Sequence, residues 1–290
     1  MSFRTVVITQ HCKLSYKDNY MIVRGQEITK IHMSEINTLM IDTTQSVITS
    51  HLMCELIKNK SKVIFCDEKR NPIGEVMSYY GHHRSSKNIM TQTSWKEETK
   101  ETIWSRIMME KIVNQSLVLK RHDKEHWDKL QEYAKEIQIG DITNREGHAA
   151  KVYFNALFGK QFTRGVKSSI NSALDYGYSI LLSSFNKDIV AKGYITQLGI
   201  HHRNEYNHFN LSCDLMEPFR PLVDDIIIKT NMGVFDSAYK MKMVDVLNHE
   251  VMIDGRKHYV SNAISLFSES VLNALESNDI ERMKFVDIGL

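Results

Sequence analysis

The chain has 290 residues, 42% of them apolar and 25% charged, with a formal net charge of +2. That length supports one large domain or two modest ones around a real hydrophobic core, and so balanced a charge does not by itself announce a nucleic-acid binder. Apolar runs such as 178–182 and 226–228 are far too short to cross a bilayer, the N-terminus lacks a signal-peptide pattern, and Cys12, Cys54, Cys66 and Cys213 show no pairing pattern. Composition thus argues against a membrane protein and a disulfide scaffold, and points to a cytoplasmic protein with reduced thiols.

The first part reads as strands. Residues 5–9, 14–16, 20–23, 28–32 and 38–41 are rich in β-branched and aromatic side chains and are separated by polar turn clusters. They predict a small antiparallel β unit. Thr44 and Ser46 offer N-caps for a helix through Ile57, followed by a strand over 62–66 and a turn over 71–74. Near Tyr79 the periodicity lapses, so residues 80–93 read as a linker between a β domain at 1–79 and a helical domain at 94–290.

Beyond the linker, Ile103, Ile107, Ile112, Leu117 and Leu119 mark a helix over 95–119, and a second helix over 122–137 ends before Gly140. Asp141-Ile142-Thr143-Asn144 supplies a cap for a helix over 145–158, in which Glu146, Ala149, Ala150, Tyr153 and Leu157 share a face. An acid on an inward face needs a cation, a metal or a hydrogen-bond network; the bland reading is that Glu146 merely complements the helix dipole. Residues 170–185 form a core helix, where Gly177 costs about 1 kcal/mol relative to alanine unless close packing requires it. A helix near 236–247, a hairpin at Met252-Ile253-Asp254-Gly255-Arg256 and a helix through Leu275 complete the chain.

Between the core helix and that last group, residues 193–225 concentrate the chemistry: His201 and His202, Asp214 and Glu217 three apart, Arg220, and two of the three prolines. Carboxylates with one imidazole suit magnesium or manganese, and neither HExxH nor paired CxxC argues for zinc. On spacing alone, Asp214 and Glu217 read more readily as a helix capping box, and a histidine doublet is more often structural than ligating. From Arg145 to Arg203, eight basic residues face three acids, a local excess of about +5. A basic surface around an acidic pocket suits a metal-dependent enzyme acting on a phosphate polymer.

Three motifs stand in order: NREGHAAKVYFNALFG, INSALDYGYSILLSSF and LGIHHRNEYNHFNLSCDLMEPFRPLVD. With them the chain resembles the universal integrase subunit of CRISPR adaptation, the first-numbered CRISPR-associated protein, and most closely its type II form. The resemblance covers essentially the whole chain. It implies an α+β fold, with a small N-terminal antiparallel β domain followed by a larger all-α catalytic domain. It also implies a magnesium or manganese ion held by Glu146, His202 and Glu217, with Asp214 as a second nearby acid. The family pattern of glycine, two residues and histidine selects His202 over His201, a shift of one residue staying open.

The implied reaction is transesterification, the terminal hydroxyl of a captured DNA fragment attacking a phosphodiester at the edge of a CRISPR repeat. No nucleotide-binding fingerprint is present, consistent with chemistry that consumes no ATP. Arg145, Lys151, Arg164, Lys167, Arg203 and Arg220 are candidate DNA-backbone contacts, each equally a structural pair, and His11 is a candidate for stacking on the end of captured DNA. The implied partners are double-stranded DNA with exposed strand ends, CRISPR repeat DNA, a second copy of the chain, a small ferredoxin-like adaptation protein and other type II CRISPR proteins. Two alternatives stay open: a structure-selective nuclease for branched DNA, and a non-catalytic DNA-binding scaffold in which Asp214 and Glu217 are only a cap.

Overall fold

Short β-rich segments form two sheets in the N-terminal unit, Met1–Tyr80, of the computed structural model, which describes residues 4–68, 70, 72–76, 78, 82–230 and 235–289. One sheet has the order β1 (Arg4–Ile8), β5 (Ile36–Ile41), β7 (Lys62–Cys66) and β8 (Pro72–Val76). The other has the order β4 (Ile28–His32), β3 (Tyr20–Arg24), β2 (Lys13–Lys17) and β6 (Val47–Ile48). Leu14, Met21, Ile36, Leu39, Leu56 and Val63 are buried in a common core.

The strands expected here are present, but the unit is not purely antiparallel. β1, β5 and β7 run parallel, and β6 runs parallel to β2. Parallel neighbours need a crossover. The β2–β4 meander supplies the one between β1 and β5, and α1 (Ser50–Lys58) lies in the one between β5 and β7. Turn chemistry marks where hairpins form and is silent about crossovers. The helix starts later than expected because Thr49 caps it, its hydroxyl accepting from Leu52 N at 3.4 Å, while Val47–Ile48 is taken up as strand.

The second unit, Gly81–Leu290, is mainly helical. The expected linker carries a helix, α2 (Ser85–Thr93), beyond Tyr80 and Gly81, which lie outside the described residues. Its stability is tertiary rather than periodic. Asn88 donates to the Lys192 carbonyl at 2.8 Å, and the Gln92 amide donates to the carbonyls of Ile195 and Leu198 at 2.9 Å each. Next in the chain come α3 (Glu97–Arg121), α4 (Trp127–Lys135), α5 (Arg145–Phe158), α6 (Ser169–Ala191), α7 (Asn210–Met216), α8 (Arg220–Lys229), α9 (Ser237–Val244) and α10 (Val260–Ser277). The Asp254-Gly255 hairpin forms, both residues at positive φ of 55° and 69°, and joins β9 (Glu250–Ile253) to β10 (Arg256–Tyr259). β11 (Val286–Asp287) pairs with β9 as well, so the expected all-α domain contains a small antiparallel sheet.

Two features of the packing frame the interior of the helical unit. A Cβ on Gly177 would overlap Val223 Cγ1, so the missing side chain lets α6 lie against α8. α3 buries Ile103, Ile107, Met108 and Ile112, and with them the polar side chains of Lys111 and Asn114. No described helix is long and apolar enough to cross a membrane.

Candidate functional site

Three parts of the helical unit meet at the side chain of Lys111. Asp141 opens α5: its carboxylate accepts from the N–H groups of Arg145 at 2.8 Å and Glu146 at 3.0 Å, which fixes Glu146 in the first turn. Glu217 begins the tight turn Glu217–Phe219 between α7 and α8, where Pro218 is tolerated because a first-turn N–H has no helical acceptor. From α3, Lys111 Nζ lies 2.6 Å from Glu146 Oε1 and 2.6 Å from Glu217 Oε2. Arg220 Nε sits 2.9 Å from Glu217 Oε1.

The electrostatics are set by this geometry. Burial opposes ionisation of Glu217, but Arg220 and Lys111 outweigh it and hold its carboxyl below the usual range. Burial likewise disfavours the Lys111 ammonium, and Glu217 and Glu146 reverse that. The Lys111 contact to Glu217 Oε2 is an ion pair without hydrogen-bond geometry, so Oε2 is a buried acceptor with no hydrogen bond.

His202 is set by a second device. Asp214 is 0% exposed and accepts from the backbone N–H groups of Ile200 at 2.6 Å, His201 at 3.0 Å and His202 at 3.2 Å. The His202 ring joins the same carboxylate, Nδ1 to Oδ1 at 2.5 Å. A carboxylate accepts only, so the Nδ1 proton is fixed and Nε2 is left as the other coordinating position of the neutral ring. The wrap is tight. A Cβ on Gly199 would lie 2.5 Å from the His202 carbonyl oxygen and 2.7 Å from Asp214 Oδ2. Asp214 is therefore an anchor inside α7 and caps no helix.

The hydrogen bond that His202 donates to Asp214 raises the pKa of His202. His201, one residue earlier, stacks on the buried Trp104 at 4.3 Å with an interplanar angle of 1°, and burial lowers its pKa. Beside His202 opens a cleft of about 560 Å³ whose lining includes Gln92, Lys100, Gly199, Arg203 and Asn207.

The structure brings Glu146 and Glu217 together around one cation. It does not bring His202 to ligand distance with them: among the described residues, no three His, Cys, Asp or Glu side chains form a ready metal cage. The ammonium of Lys111 stands where two carboxylates converge, and the donors are hard oxygens with one imidazole nearby, so the residues fit a hard divalent cation. Lys111 is a participant that sequence reasoning missed, because a single lysine in an amphipathic helix looks like surface.

The basic candidates divide. Arg145 pairs with Glu136 at 3.0 Å, Arg203 pairs with Glu97, and Arg164 holds Asn171 at 2.7 Å and Asp175 at 2.6 Å. Lys151 and Lys167 are exposed. His11 is exposed in the turn after β1 and lines a small polar pocket with Gln10, Asp42, Thr44, Asp67 and Arg70.

Known proteins share this arrangement of elements. The sequence profile of the family described as CRISPR associated protein Cas1 matches residues 5–244. The CRISPR-associated endonuclease Cas1 of Neisseria meningitidis serogroup C is 28% identical over 295 residues, covering 99% of this chain and 97% of that protein. Among solved structures, a casposase bound to integration product superposes with a TM-score of 0.79 at 18% identity, covering 95% of this chain and 91% of the other. A chain of a Cas6-RT-Cas1–Cas2 complex gives a TM-score of 0.72 at 20% identity, covering 97% of this chain and 36% of that one. The match over residues 5–244 spans most of both units, and on it the chain belongs to the CRISPR associated protein Cas1 family.

Proposed function

We propose that the chain is the integrase of CRISPR adaptation, a metal-dependent DNA endonuclease and strand transferase that joins captured DNA fragments to a CRISPR repeat by transesterification. The observation that carries this reading is the pair Glu146 and Glu217 closing on one cation-sized position, at 2.6 Å from Lys111 Nζ on each side. Glu146, His202 and Glu217 are the ligands of that reading, and Asp214 positions His202 by holding its Nδ1 and its backbone. His202 is favoured over His201 because its ring is oriented by a carboxylate, whereas His201 lies flat on Trp104. Glu146, His202 and Glu217 would hold a magnesium or manganese ion, which would supply Lewis acidity at the attacking hydroxyl and the phosphate. Lys111 offsets the repulsion between the two acids, and Arg220 restrains Glu217 from the opposite oxygen.

Arg220, beside Glu217, and the exposed Lys151 and Lys167 would carry the DNA backbone, with Arg145, Arg164 and Arg203 contributing once released from Glu136, Asp175 and Glu97. The N-terminal β unit would serve dimerisation, with His11 at the end of the captured duplex. The likeness to a Cas1-containing chain solved in a complex with Cas2 supports a small adaptation protein as partner.

The test is strand transfer on a supercoiled plasmid bearing a leader and repeat, with labelled fragment, the small partner and magnesium or manganese. Native protein should join fragment only with metal, and folded His202→Ala and Glu217→Ala variants should not. Cutting of branched DNA without any joining would replace the integrase reading with a structure-selective nuclease. Joining by both variants would show that the metal site is misplaced.

A further inference from the structure

Behind Glu217 lies a buried network that the proposed reaction does not use directly. Asp224 of α8 is 1% exposed and accepts from two tyrosine hydroxyls, Tyr178 of α6 at 2.6 Å and Tyr153 of α5 at 2.9 Å. Both tyrosines are buried, at 7% and 0% exposed. Four residues before Asp224, on the same helix, the Arg220 guanidinium lies over the Tyr178 ring, 4.7 Å from its centroid. Its Nε contacts Glu217. A second guanidinium, that of Arg164, lies 5.6 Å from the same ring.

A buried carboxylate is costly, and a hydrophobic residue of similar size would usually serve packing as well. α8 already packs through Leu222, Val223, Ile226 and Ile227. What Asp224 adds is a fixed location for the Tyr178 ring. Two cations draw toward that ring, and their attraction depends on where its face lies. A hydroxyl donating to an anion also polarises the ring toward greater electron density, which strengthens its hold on a guanidinium. The close approach at Gly177 and Val223 brings α6 near enough for Tyr178 to reach Asp224.

We infer that Asp224, acting through Tyr178 and supported by Tyr153, is a positioning group for the reaction: it holds the tyrosine ring beneath Arg220 and thereby holds Arg220 on Glu217. The inference rests on Glu217 as a metal ligand. Asp224 touches neither metal nor DNA in this scheme. Its effect passes along one route, and removing Arg220 cuts that route.

The experiment is a double-mutant cycle with two readouts, Mn²⁺ affinity by calorimetric titration and the rate of strand transfer at saturating DNA. Asp224→Asn keeps shape while removing the charge, and Tyr178→Phe keeps the ring while removing the hydroxyl. Each is measured alone and with Arg220→Ala. Alone, each should weaken Mn²⁺ binding or slow joining about 10- to 100-fold, the usual range for groups that orient a ligand. With Arg220→Ala, each should add less than about twofold, because coupled residues are non-additive. Losses that multiply in the Arg220→Ala background would overturn the inference and make the network a packing feature. Tyr178→Phe carries the cycle if Asp224→Asn does not fold. Glu217→Ala separates the two levels. If it leaves Mn²⁺ affinity unchanged, the metal reading of Glu217 falls, and the cycle on strand-transfer rate alone decides whether Asp224 works through Arg220.

Discussion

Asp224 and Asp225 are neighbours on α8, both buried, and their surroundings are opposite. Asp224 meets two neutral hydroxyls, and burial pushes its carboxyl up to about 6 against an ordinary aspartate value of 3.8. Asp225 meets Arg121 at 2.7 Å, His122 at 2.8 Å and Lys229 at 2.6 Å; burial opposes its ionisation, yet these partners hold its pKa below the ordinary value. Neutral donors satisfy hydrogen bonding without repaying desolvation, whereas cations do both. The two faces of one helix therefore differ in purpose. The Asp225 face is a clasp, in which Arg121 also binds the Ile288 carbonyl and ties α3 to the C-terminal segment. The Asp224 face leads to Arg220 and the acids.

The largest effect should come from breaking the clasp. Asp225→Ala leaves the Arg121 and Lys229 cations facing one another and the His122 ring without its acceptor, and should cost about 3–5 kcal/mol in chemical denaturation, with Mn²⁺ affinity of the folded fraction unchanged. A loss of affinity equal to that of the Asp224 variants would erase the distinction between the faces.

The second test is the sign of the pH dependence. The raised Asp224 contributes stability that is fully present below 3.8 and is lost as pH rises through about 6. Between those values native protein should lose about 3 kcal/mol relative to Asp224→Asn in paired denaturation curves. The lowered Asp225 has the opposite sign: its contribution is present above 3.8 and is lost as pH falls through its depressed folded value. Asp225→Asn should flatten the acid limb and leave the middle of the profile alone. Parallel profiles for the two variants would show that their surroundings do not differ as described.

The contact that brings α6 to α8 gives a smaller effect. Gly177→Ala places a methyl against Val223 and should cost about 1–3 kcal/mol, and Val223→Ala in the same chain should recover part of it. A double variant no more stable than Gly177→Ala would deny that contact.

The smallest expected effect concerns His202. Its bond to Asp214 keeps the ring protonated to higher pH, and a metal must displace that proton. Mn²⁺ affinity should fall up to about tenfold for each pH unit below the raised value, with proton release seen in buffers of different ionisation heat. Affinity independent of pH would remove His202 from the ligand set.

Much of this arrangement is legible in the sequence because it is local. The apolar stripe of α6, the cap before α5 and the Asp254-Gly255 hairpin each depend on residues within a turn or two. The histidine and acids of residues 193–225 stand out for the same reason. The capping-box reading of Asp214 fails because an aspartate three residues before a glutamate has the same spacing whether it caps a helix or sits inside one. Only the packed chain shows that its carboxylate gathers the N–H groups of residues 200–202. The α2 helix escapes a sequence reading for a related reason: its partners lie at Lys192, Ile195 and Leu198.

The sequence alone determined the periodic helices, the turn chemistry and the three motifs that carry the family resemblance, since each is set by neighbours a few residues apart. Tertiary structure alone decided the parallel register of β1, β5 and β7, the position of Lys111 between Glu146 and Glu217, and the opposite surroundings of Asp224 and Asp225. Lys111 stands 35 positions from Glu146, and Arg121 stands 104 from Asp225. Such partners are selected by which charges and rings must be satisfied once helices pack, and no local pattern specifies that.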